Sequence, residues 1–512
     1  MSKMKKKVVI ALVMCTVISG TILAATSYVV PPETPGVTPT ANYTSWATAS
    51  TNIQDAIDVV GSGGLVLVTN GVYVLTNMLT IADSITVRSF NNGATDRDGT
   101  IIDGNYPTTT NRCVYLSGVG TVLEGFTVTN GYAVDTLLSG NGGGVYIELA
   151  GTVTNCLIAG NEAGTGSGGG GIFLYKGGLV TMSTISGNVA TNANAASGGG
   201  VYFLSSGVVT NCLIKNNRSN KGAGVRMIGE PGPGGVLTGS TIANNESLSY
   251  SSGQGAAGVS MWFRGTVDNC TIISNTCARG GYYSGIETHY YSILRNSLIA
   301  YNTGATYYSA TLGKWSFTSN CVFRNNSDNQ ARGLSLGTDA LLVDSTIVSN
   351  TAAIFANDCI CRNCLFAYND KGIKVYNAAR FENCTVVGHP DVGISFSKAA
   401  VMENCVVYGN NSGGDNWSYS ETGTNTVWTN SCTTPVLSGP NDTGNITDNP
   451  LFADAASGNY RLTRASPCVN TGIERAWMTG AVDLDGNPRL VGIVDMGAYE
   501  LPPPLGTCVI IR

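Results

Sequence analysis

Glu287 and His289 are the residues of this sequence whose types and spacing best fit acid–base chemistry. They lie two positions apart, so on a β-strand both side chains face the same side. A carboxylate in that position can orient an imidazole that acts as a general base. The repeat pattern described below adds Arg226 and Trp262 from the two preceding repeats. Glu287, His289 and Arg226 are therefore the candidate catalytic residues, and a solvated polar patch is the alternative.

Aromatic residues form the second chemical signal. The outward positions of the same strands carry rings in successive repeats, and flat rings in a row can stack on sugar rings. The alternative is an aromatic ladder that stabilises the sheet through cross-strand packing. The candidate ligand-binding residues are Tyr146, Phe173, Tyr175, Tyr202 and Trp262.

Carboxylates are scarce on this face. Hydrolysis of a glycosidic bond usually needs two carboxylates that flank the same bond. The outward strand columns contain only Glu148 and Glu287, which lie five repeats or about 24 Å apart. A second acid would have to come from the variable loops, for example Glu246 or Asp268. The strand positions therefore argue against two-carboxylate catalysis.

A short repeat positions all of these residues. Cys or Ser is followed two positions later by an apolar residue and three positions after that by Asn, with His389 as the one exception in that column. Self-similarity at a spacing of 20 to 50 residues predicts a solenoid. The eleven copies are Cys156–Asn161, Ser183–Asn188, Cys212–Asn217, Ser240–Asn245, Cys270–Asn275, Ser297–Asn302, Cys321–Asn326, Ser345–Asn350, Cys364–Asn369, Cys384–His389 and Cys405–Asn410.

The fold class follows from the alternation within each repeat. A Gly or Ala followed by a branched apolar residue, such as Val145 or Ile172, begins a second short run that alternates with period two. Period-two alternation predicts strands, and stacking equivalent strands gives parallel sheets. We therefore predict an all-β, right-handed parallel β-helix. The predicted structural ladder, in which Asn also occupies a left-handed corner of each coil, is Asn161, Asn188, Asn217, Asn245, Asn275, Asn302, Asn326, Asn350, Asn369 and Asn410.

Residues 50–450 resemble the right-handed parallel β-helix proteins of bacterial surfaces, including polymorphic outer-membrane proteins, which share the pectin-lyase-like fold. Residues 448–500 resemble the C-terminal region of bacterial choice-of-anchor Q domain proteins, through Asp448–Asp454, Ser466–Gly472, Asp483–Asn487 and Asp495–Glu500. Asn459, Cys468 and Asn470 depart from that pattern. The resemblance implies a secreted protein, and the fold also houses polysaccharide lyases and glycosidases.

The cysteines and one acidic loop raise the question of bridges and metals. Equivalent positions two coils apart, such as Cys156 and Cys212, are about 9.6 Å apart, too far for a disulfide. We therefore predict small, buried and reduced core cysteines. Cys361-x-x-Cys364 lacks the second pair of a zinc site. Asp483-x-Asp485-Gly-Asn487 resembles the start of a calcium loop, but its Gly comes too early, so a Gly-containing turn is the alternative. We predict no metal and no cofactor, with calcium as the open alternative.

Composition limits the class of partner. The 512 residues carry a net charge of −5, only 12% are charged, and no basic stripe exists, so nucleic acid is not an expected partner. Lys3 to Lys7, an apolar run and Ala24-Ala25 form a signal-peptide pattern, with an uncleaved anchor as the alternative. No later segment is long and apolar enough to span a membrane. We expect export to the outside or the cell surface.

The predicted order is a signal peptide (1–25), a leader (26–50), the β-helix (51–447), a choice-of-anchor-Q-like segment (448–501) and a tail (502–512). Thr51-Asn-Ile-Gln54 predicts a capping box that starts a short helix over 52–60, which covers the first coil before strands at 65–68 and 85–88. The sequence favours a secreted or cell-surface binding or structural protein that contacts polysaccharide or another cell surface. The alternative is a carbohydrate-active enzyme, either a polysaccharide lyase or a glycoside hydrolase.

Overall fold

The protein is a right-handed parallel β-helix. The computed structural model describes residues 25–503 except 135–137, 165–167, 192–196, 231, 249–254, 278–281, 306, 328–331, 352, 421–424, 438 and 440. The predicted signal peptide, apart from Ala25, and the tail from residue 504 lie outside the described residues. In the described part, no helix has the length and apolar character needed to cross a membrane.

Three long parallel sheets form the walls of the helix, and successive coils contribute neighbouring strands to each sheet. Sheet 1 contains Leu79–Ile81, Val114–Leu116, Val145–Ile147, Ile172–Leu174, Val201–Phe203, Val225–Met227, Val259–Met261, Tyr283–Thr288, Tyr308–Leu312, Arg332–Leu336, Ala353–Ala356, Ile373–Val375, Ile394–Phe396 and Trp417–Tyr419. Sheet 2 contains Thr26–Val29, Leu65–Thr69, Thr86–Phe90, Val122–Glu124, Thr152–Thr154, Leu179–Thr181, Ser206–Thr210, Gly234–Thr238, Thr266–Asp268, Ile293–Arg295, Phe317–Ser319, Leu341–Val343, Ile360–Arg362, Arg380–Glu382, Val401–Glu403 and Val427–Thr429.

The third wall and two smaller sheets complete the strand set. Sheet 3 contains Gly71–Val74, Thr100–Asp103, Thr127–Thr129, Leu157–Ala159, Thr184–Ser186, Leu213–Lys215, Thr241–Ala243, Thr271–Ile273, Leu298–Ala300, Val322–Arg324, Thr346–Val348, Leu365–Ala367, Thr385–Val387, Val406–Tyr408 and Cys432–Thr433. Sheet 4, with two-residue strands, contains Tyr132–Ala133, Glu162–Ala163, Val189–Ala190, Arg218–Ser219, Glu246–Ser247 and Thr276–Cys277. An antiparallel hairpin joins Phe452–Asp454 to Asn459–Leu462.

Inward-facing residues of the three sheets make one continuous core. In a single coil Val145 and Ile147 come from sheet 1, Val153 from sheet 2 and Ile158 from sheet 3, and all four are fully buried. This arrangement follows from the period of two, which sends alternate side chains of each strand inward. The fold predicted from the repeat is therefore confirmed.

The Asn column forms a continuous ladder along the corner that follows sheet 3. Asn275 is typical: its Oδ1 accepts from Asn245 Nδ2 at 2.9 Å, and its Nδ2 donates to Asn302 Oδ1 and to the Ile242 carbonyl, both at 3.0 Å. Equivalent side-chain bonds join Asn161 to Asn188 and run on to Asn369. Buried amides are thus fully bonded, which removes the cost of leaving them unsatisfied.

One detail of the predicted ladder is wrong. The ladder Asn residues are not left-handed; the residue before each one is, as in Ser274 with a φ of 55° and Gly160 with a φ of 67°. The tight turn therefore falls one position earlier than predicted. This placement leaves the Asn backbone N–H free to donate to the next ladder residue, as Asn275 N does to Asn302 Oδ1 at 3.0 Å.

An α-helix covers the N-terminal end of the stack, and the described residues also contain four 3₁₀ turns. The α-helix spans Ile53–Val60 and buries Ile53, Ala56, Ile57 and Val60 against the first strands. Its N-cap is Asn52, whose Oδ1 accepts from Gln54 N at 2.8 Å, and not the predicted Thr51. The 3₁₀ turns are Trp46–Thr48, Asn411–Gly413, Ala455–Ser457 and Ala476–Met478.

The stretch predicted as a leader contributes to the sheet. Residues Thr26–Val29 form the first strand of sheet 2 and pair in parallel with Leu65–Val68. At the opposite end Trp428 is fully buried and Trp417 packs beside it, so large aromatic side chains close the core there.

Candidate functional site

The predicted acid–base residues meet on sheet 1. Strand pairing aligns Arg226 with Ser260 and Ser260 with Glu287 on three successive coils. His289 follows directly after the strand that carries Glu287. Because equivalent positions in a parallel sheet stack about 4.8 Å apart, the three outward side chains form one row.

Glu287 lies at the centre of a hydrogen-bonded network. Its Oε2 accepts from Ser260 Oγ at 2.6 Å, and its Oε1 lies 2.8 Å from His289 Nε2. Arg226 Nη1 donates to the same Ser260 hydroxyl and lies 3.8 Å from Glu287 Oε2. The Glu287 side chain is fully buried, so both of its oxygens are held by protein groups away from solvent.

Burial controls the charges around Glu287. It lowers the pKa of the Arg226 guanidinium, and the charge of Glu287 opposes that effect. Burial also lowers the pKa of Lys221. The positive charge of Arg226 lowers it further, whereas the negative charge of Glu287 raises it. Burial raises the pKa of the Tyr283 phenol, and Glu287 acts in the same direction. Lys221 and Tyr283 therefore belong to the same electrostatic cluster, which the sequence pattern did not show.

His289 is the member of this network that a ligand could reach. Its side chain is 17% exposed, and Nε2 is engaged by Glu287, so Nδ1 is the nitrogen that remains for a ligand. A Cβ atom at position 313 would lie 2.5 Å from Nδ1, so Gly313 lets the imidazole ring pack against the backbone of the next coil. The arrangement can hold a ligand hydroxyl at Nδ1 and move a proton to or from it.

The two loop acids that could have completed a carboxylate pair lie elsewhere. Glu246 sits on sheet 4 and pairs with Arg218 at 2.7 Å. Asp268 ends a strand of sheet 2 and pairs with Arg295 at 2.9 Å. Neither strand belongs to sheet 1, so neither residue supplies a second acid beside His289.

The predicted aromatic binding row is mostly inaccessible. Tyr146, Phe173 and Tyr202 stack in sequence, with Phe173 and Tyr202 at 5.1 Å and an interplanar angle of 7°. Phe173 is only 2% exposed, and the other two are also buried. Partly buried neighbours, including Tyr115 and Leu204, pack against the stack. These three rings therefore stabilise the sheet and cannot stack on a sugar, which corrects the sequence-based assignment.

Half-buried and exposed rings form a different group, beside His289. This group, the aromatic patch, consists of Trp262, Phe263, Tyr290, Tyr291 and Trp315 at the turns between sheets 1 and 2. Tyr290 stacks on Phe263 at 4.8 Å and Tyr291 on Trp315 at 5.2 Å. Trp262 lies 5.1 Å from the His289 ring. Tyr291 is 54% exposed and Trp315 39% exposed, so these two rings are the solvent-exposed part of the patch.

Sequence reasoning found part of this patch. It selected Trp262 as a ligand-binding residue, but it did not select Phe263 or Trp315. Tyr175, the remaining predicted ligand residue, is half-buried and lies 6.4 Å from Tyr146. An aromatic residue just after the outward strand column, in consecutive repeats, was the signal available for Phe263 and Trp315.

The acidic loop and the cysteines have structural partners. Asp483 Oδ1 accepts from the backbone of Asp485 and Asn487, at 2.9 and 2.8 Å, and so closes a tight turn. Asp485 pairs with Arg461, so these oxygens are used by protein donors. Cys156, Cys212, Cys270 and Cys321 are free and buried, which confirms the prediction for the anchor cysteines. Cys361 and Cys364 are likewise free and buried.

Comparison with known proteins supports the fold. A family model described as a right-handed β-helix region matches residues 170–352. No curated protein sequence matches the chain significantly. The resemblance of residues 448–500 to choice-of-anchor Q proteins lies outside the matched region and stays a prediction.

Several solved structures are similar over most of the chain at low identity. Pectate lyase Pel9A is 14% identical, with a TM-score of 0.30, covering 93% of this chain and 96% of that one. The GH87 alpha-1,3-glucanase of Streptomyces thermodiastaticus is 12% identical, with a TM-score of 0.33, and the match covers 73% of this chain and 66% of that one. The Azotobacter vinelandii mannuronan C-5 epimerase AlgE4 A-module is 11% identical, with a TM-score of 0.27, and the match covers 80% of this chain and 96% of that one.

Proposed function

We propose that this protein is exported and binds a polysaccharide through the aromatic patch and the adjoining Glu287–His289 pair on sheet 1. The observation that carries the proposal is the exposure of Tyr291 and Trp315, stacked at 5.2 Å, next to a buried polar network. Ring faces provide apolar contact area for the C–H faces of sugars, while a few fixed polar groups orient the ligand. Export rests on the signal-peptide pattern of the first 25 residues.

Small residues extend this surface along the sheet. Beyond His289 the outward positions of the next two coils are Thr311 and Gly313, then Ser335 and Gly337. Lys314 lies over the Trp315 ring, 4.1 Å from its centroid, and so adds a positive charge at the edge of the patch.

Binding can be tested with the full exported chain against a panel of neutral and acidic polysaccharides. The double variant Tyr291→Ala/Trp315→Ala should weaken binding by about tenfold or more, because two stacking faces worth roughly 0.5–1.5 kcal/mol each are lost. Tyr301→Ala is the matched control, because Tyr301 is 48% exposed at a turn on another side of the helix. Equal affinity of the double variant and the control would overturn the proposal.

A second candidate function is carbohydrate chemistry at His289. The specific observation that favours it is the 2.8 Å contact between Nε2 of His289, whose side chain is 17% exposed, and the fully buried Glu287 carboxylate. In that case His289→Ala and Glu287→Gln should lower turnover by about 10²-fold or more and leave binding nearly unchanged. Unsaturated or newly reducing sugar ends that form with the natural chain and disappear in both variants would establish the enzyme. Binding without such products would establish the binding function.

A further inference from the structure

A second row of polar side chains runs along the corner between sheets 2 and 3. In each coil the residue just before the Cys or Ser anchor has a left-handed backbone, for example Asn269 with a φ of 52° and Asn320 with a φ of 50°. Asn and Asp adopt this conformation more readily than most residues. We call this set the corner row: Asn155, Asn211, Asn269, Asn296, Asn320, Asp344, Asn363, Asn383, Asn404 and Asn430.

The C-terminal segment, residues 448–501, covers the last part of the corner row. Asn363, Asn383 and Asn404 are fully buried beneath it. Their Nδ2 groups donate to main-chain carbonyls of the segment, to residues 482, 495 and 473 at 2.7, 3.0 and 2.8 Å. Asn430 Nδ2 donates to the carbonyl of residue 471 at 2.7 Å. Four consecutive coils therefore hold an irregular polypeptide through its backbone.

One further contact shows how complete this recognition is. Asn404 Oδ1 accepts from the backbone N–H of Ile473 at 2.7 Å while its Nδ2 donates to the Ile473 carbonyl. The amide thus pairs with both backbone polar groups of one residue, Ile473. Such pairing depends on the main chain of the bound segment and not on its side chains.

The same row is open to solvent in three coils that lie two to four coils before Asn363. Asn269, Asn296 and Asn320 are exposed. Asn320 Nδ2 donates to Asn296 Oδ1 at 2.8 Å, and Asn296 Nδ2 donates to Asp268 Oδ1 at 2.7 Å. In the covered coils Asn363 makes the equivalent bond to Asp344 at 2.7 Å and uses its second hydrogen for the bound segment. In the open coils the second hydrogen of each amide has no partner among the described residues.

The open coils form a groove whose walls match those of the covered coils. Its volume is about 750 Å³, and its lining includes Asp268, the three exposed Asn residues, Leu298 and Val322. Leu298 and Val322 occupy the same column of sheet 3 as Leu365, which packs under Tyr460 and Tyr499 of the C-terminal segment. The groove therefore offers the amide wall and the apolar wall that the covered coils use to hold that segment.

We propose that this groove, at Asn269, Asn296 and Asn320, binds an irregular polypeptide segment of another protein molecule through its main-chain carbonyls. The charge of Asp268 is balanced by Arg295 at 2.9 Å, which suits an uncharged backbone. The apolar wall at Leu298 and Val322 accommodates small or apolar side chains, such as those in residues 468–484 of this chain. The groove lies at the junction of sheets 2 and 3, so the proposal is independent of polysaccharide binding on sheet 1.

The probe is a fluorescent peptide with the sequence of residues 468–484, titrated into the full chain. We expect saturable binding of the natural sequence that Asn296→Asp/Asn320→Asp weakens about tenfold or more, because carboxylates remove the donors and repel carbonyl oxygens. Asn325→Asp is the matched control: it lies in the same coil as Asn320, is exposed, and has a φ of 53°. Val322→Arg, which fills the groove without altering the amides, should also weaken binding.

Three results would overturn the proposal. One is the absence of binding at about millimolar peptide. Another is an unchanged affinity in the Asn296/Asn320 double variant, or a loss confined to Asn404→Asp, which would place the peptide at the covered coils. The third is a polysaccharide, and not the peptide, whose binding depends on Asn296 and Asn320. Polysaccharide binding should be unchanged in the Asn296 and Asn320 variants. The peptide test of this groove and the polysaccharide test of the sheet 1 surface can then fail independently.

Discussion

His389 replaces an asparagine inside the ladder, and its ring nitrogens take over both roles of the missing amide. Nδ1 lies 3.0 Å from Asn410 Oδ1, and Nε2 lies 3.3 Å from Asn369 Nδ2. Because Asn410 Oδ1 can only accept and Asn369 Nδ2 can only donate, His389 must carry its proton on Nδ1 and leave Nε2 unprotonated. Burial lowers the pKa of His389 from 6.5 to about 4, which keeps the ring neutral.

His389 should make stability depend on pH. Because its folded-state pKa lies below the unfolded value of 6.5, the unfolded chain binds the extra proton first as the pH falls. The stability that the neutral His389 ring contributes to the fold is fully present above pH 6.5. It is lost progressively as the pH falls to about 4, and the total loss is about 3 kcal/mol. His389→Asn restores the ladder residue and removes the titrating group. Urea unfolding between pH 6.5 and about 4 should show the natural chain losing stability relative to this variant. Parallel pH profiles of the two proteins would contradict a buried, neutral His389.

Asn275 should be costly to replace. Its side chain is fully buried and bonds to Asn245, Asn302 and the Ile242 carbonyl. Asn275→Leu leaves these groups unsatisfied, each at about 1–3 kcal/mol, so we expect a loss of at least about 3 kcal/mol in the free energy of unfolding. Because the Asn275 backbone is not left-handed, this loss of stability would come from the broken ladder hydrogen bonds and not from backbone strain. Asn77→Leu, at an exposed position, should change stability by less than about 0.5 kcal/mol.

The anchor cysteines should be unreactive in the folded protein. Burial raises the pKa of Cys156, Cys212 and Cys270 to about 11 and that of Cys321 to about 12. The thiolate is the reactive form, so labelling with a maleimide at pH 8 should be slow until the chain is unfolded. A cysteine introduced at the exposed Asn77 should react at once and serves as the control. Rapid native labelling of the four anchors, or disulfides between them, would refute buried reduced thiols.

Asn404 should hold the C-terminal segment in place. Its side chain bonds to both polar groups of Ile473, and Arg475 pairs with Glu403 beside it at 2.7 and 2.5 Å. Asn404→Ala removes both amide contacts, so hydrogen exchange of the Ile473 amide should accelerate by about tenfold or more, equivalent to 1.4 kcal/mol. Asn325→Ala, at an exposed corner of another coil, should leave that amide unchanged. Equal exchange rates would mean that other contacts hold the segment.

Much of the architecture could be predicted because it is local and periodic. The spacing of Cys or Ser, an apolar residue and Asn predicted the coils, the inward side of each strand and the ladder at Asn161 to Asn410. A period of two leaves each strand residue only two directions, so side-chain direction can be read from the repeat alone. The same logic brought Arg226, Ser260 and Glu287 into one row of sheet 1, with His289 directly after the strand that carries Glu287.

The sequence alone thus determined which side chains point outward, and the tertiary structure decided which of them stay accessible. Tyr146 and Phe173 point outward as predicted but are buried by neighbouring side chains, whereas Tyr291 and Trp315 are exposed at turns. Asn320 and Asn363 have the same position in the repeat, yet only Asn363 is buried, because a segment more than 100 residues later packs on it. The physical reason is that direction is set by the local backbone, whereas coverage is set by contacts between residues far apart in the chain.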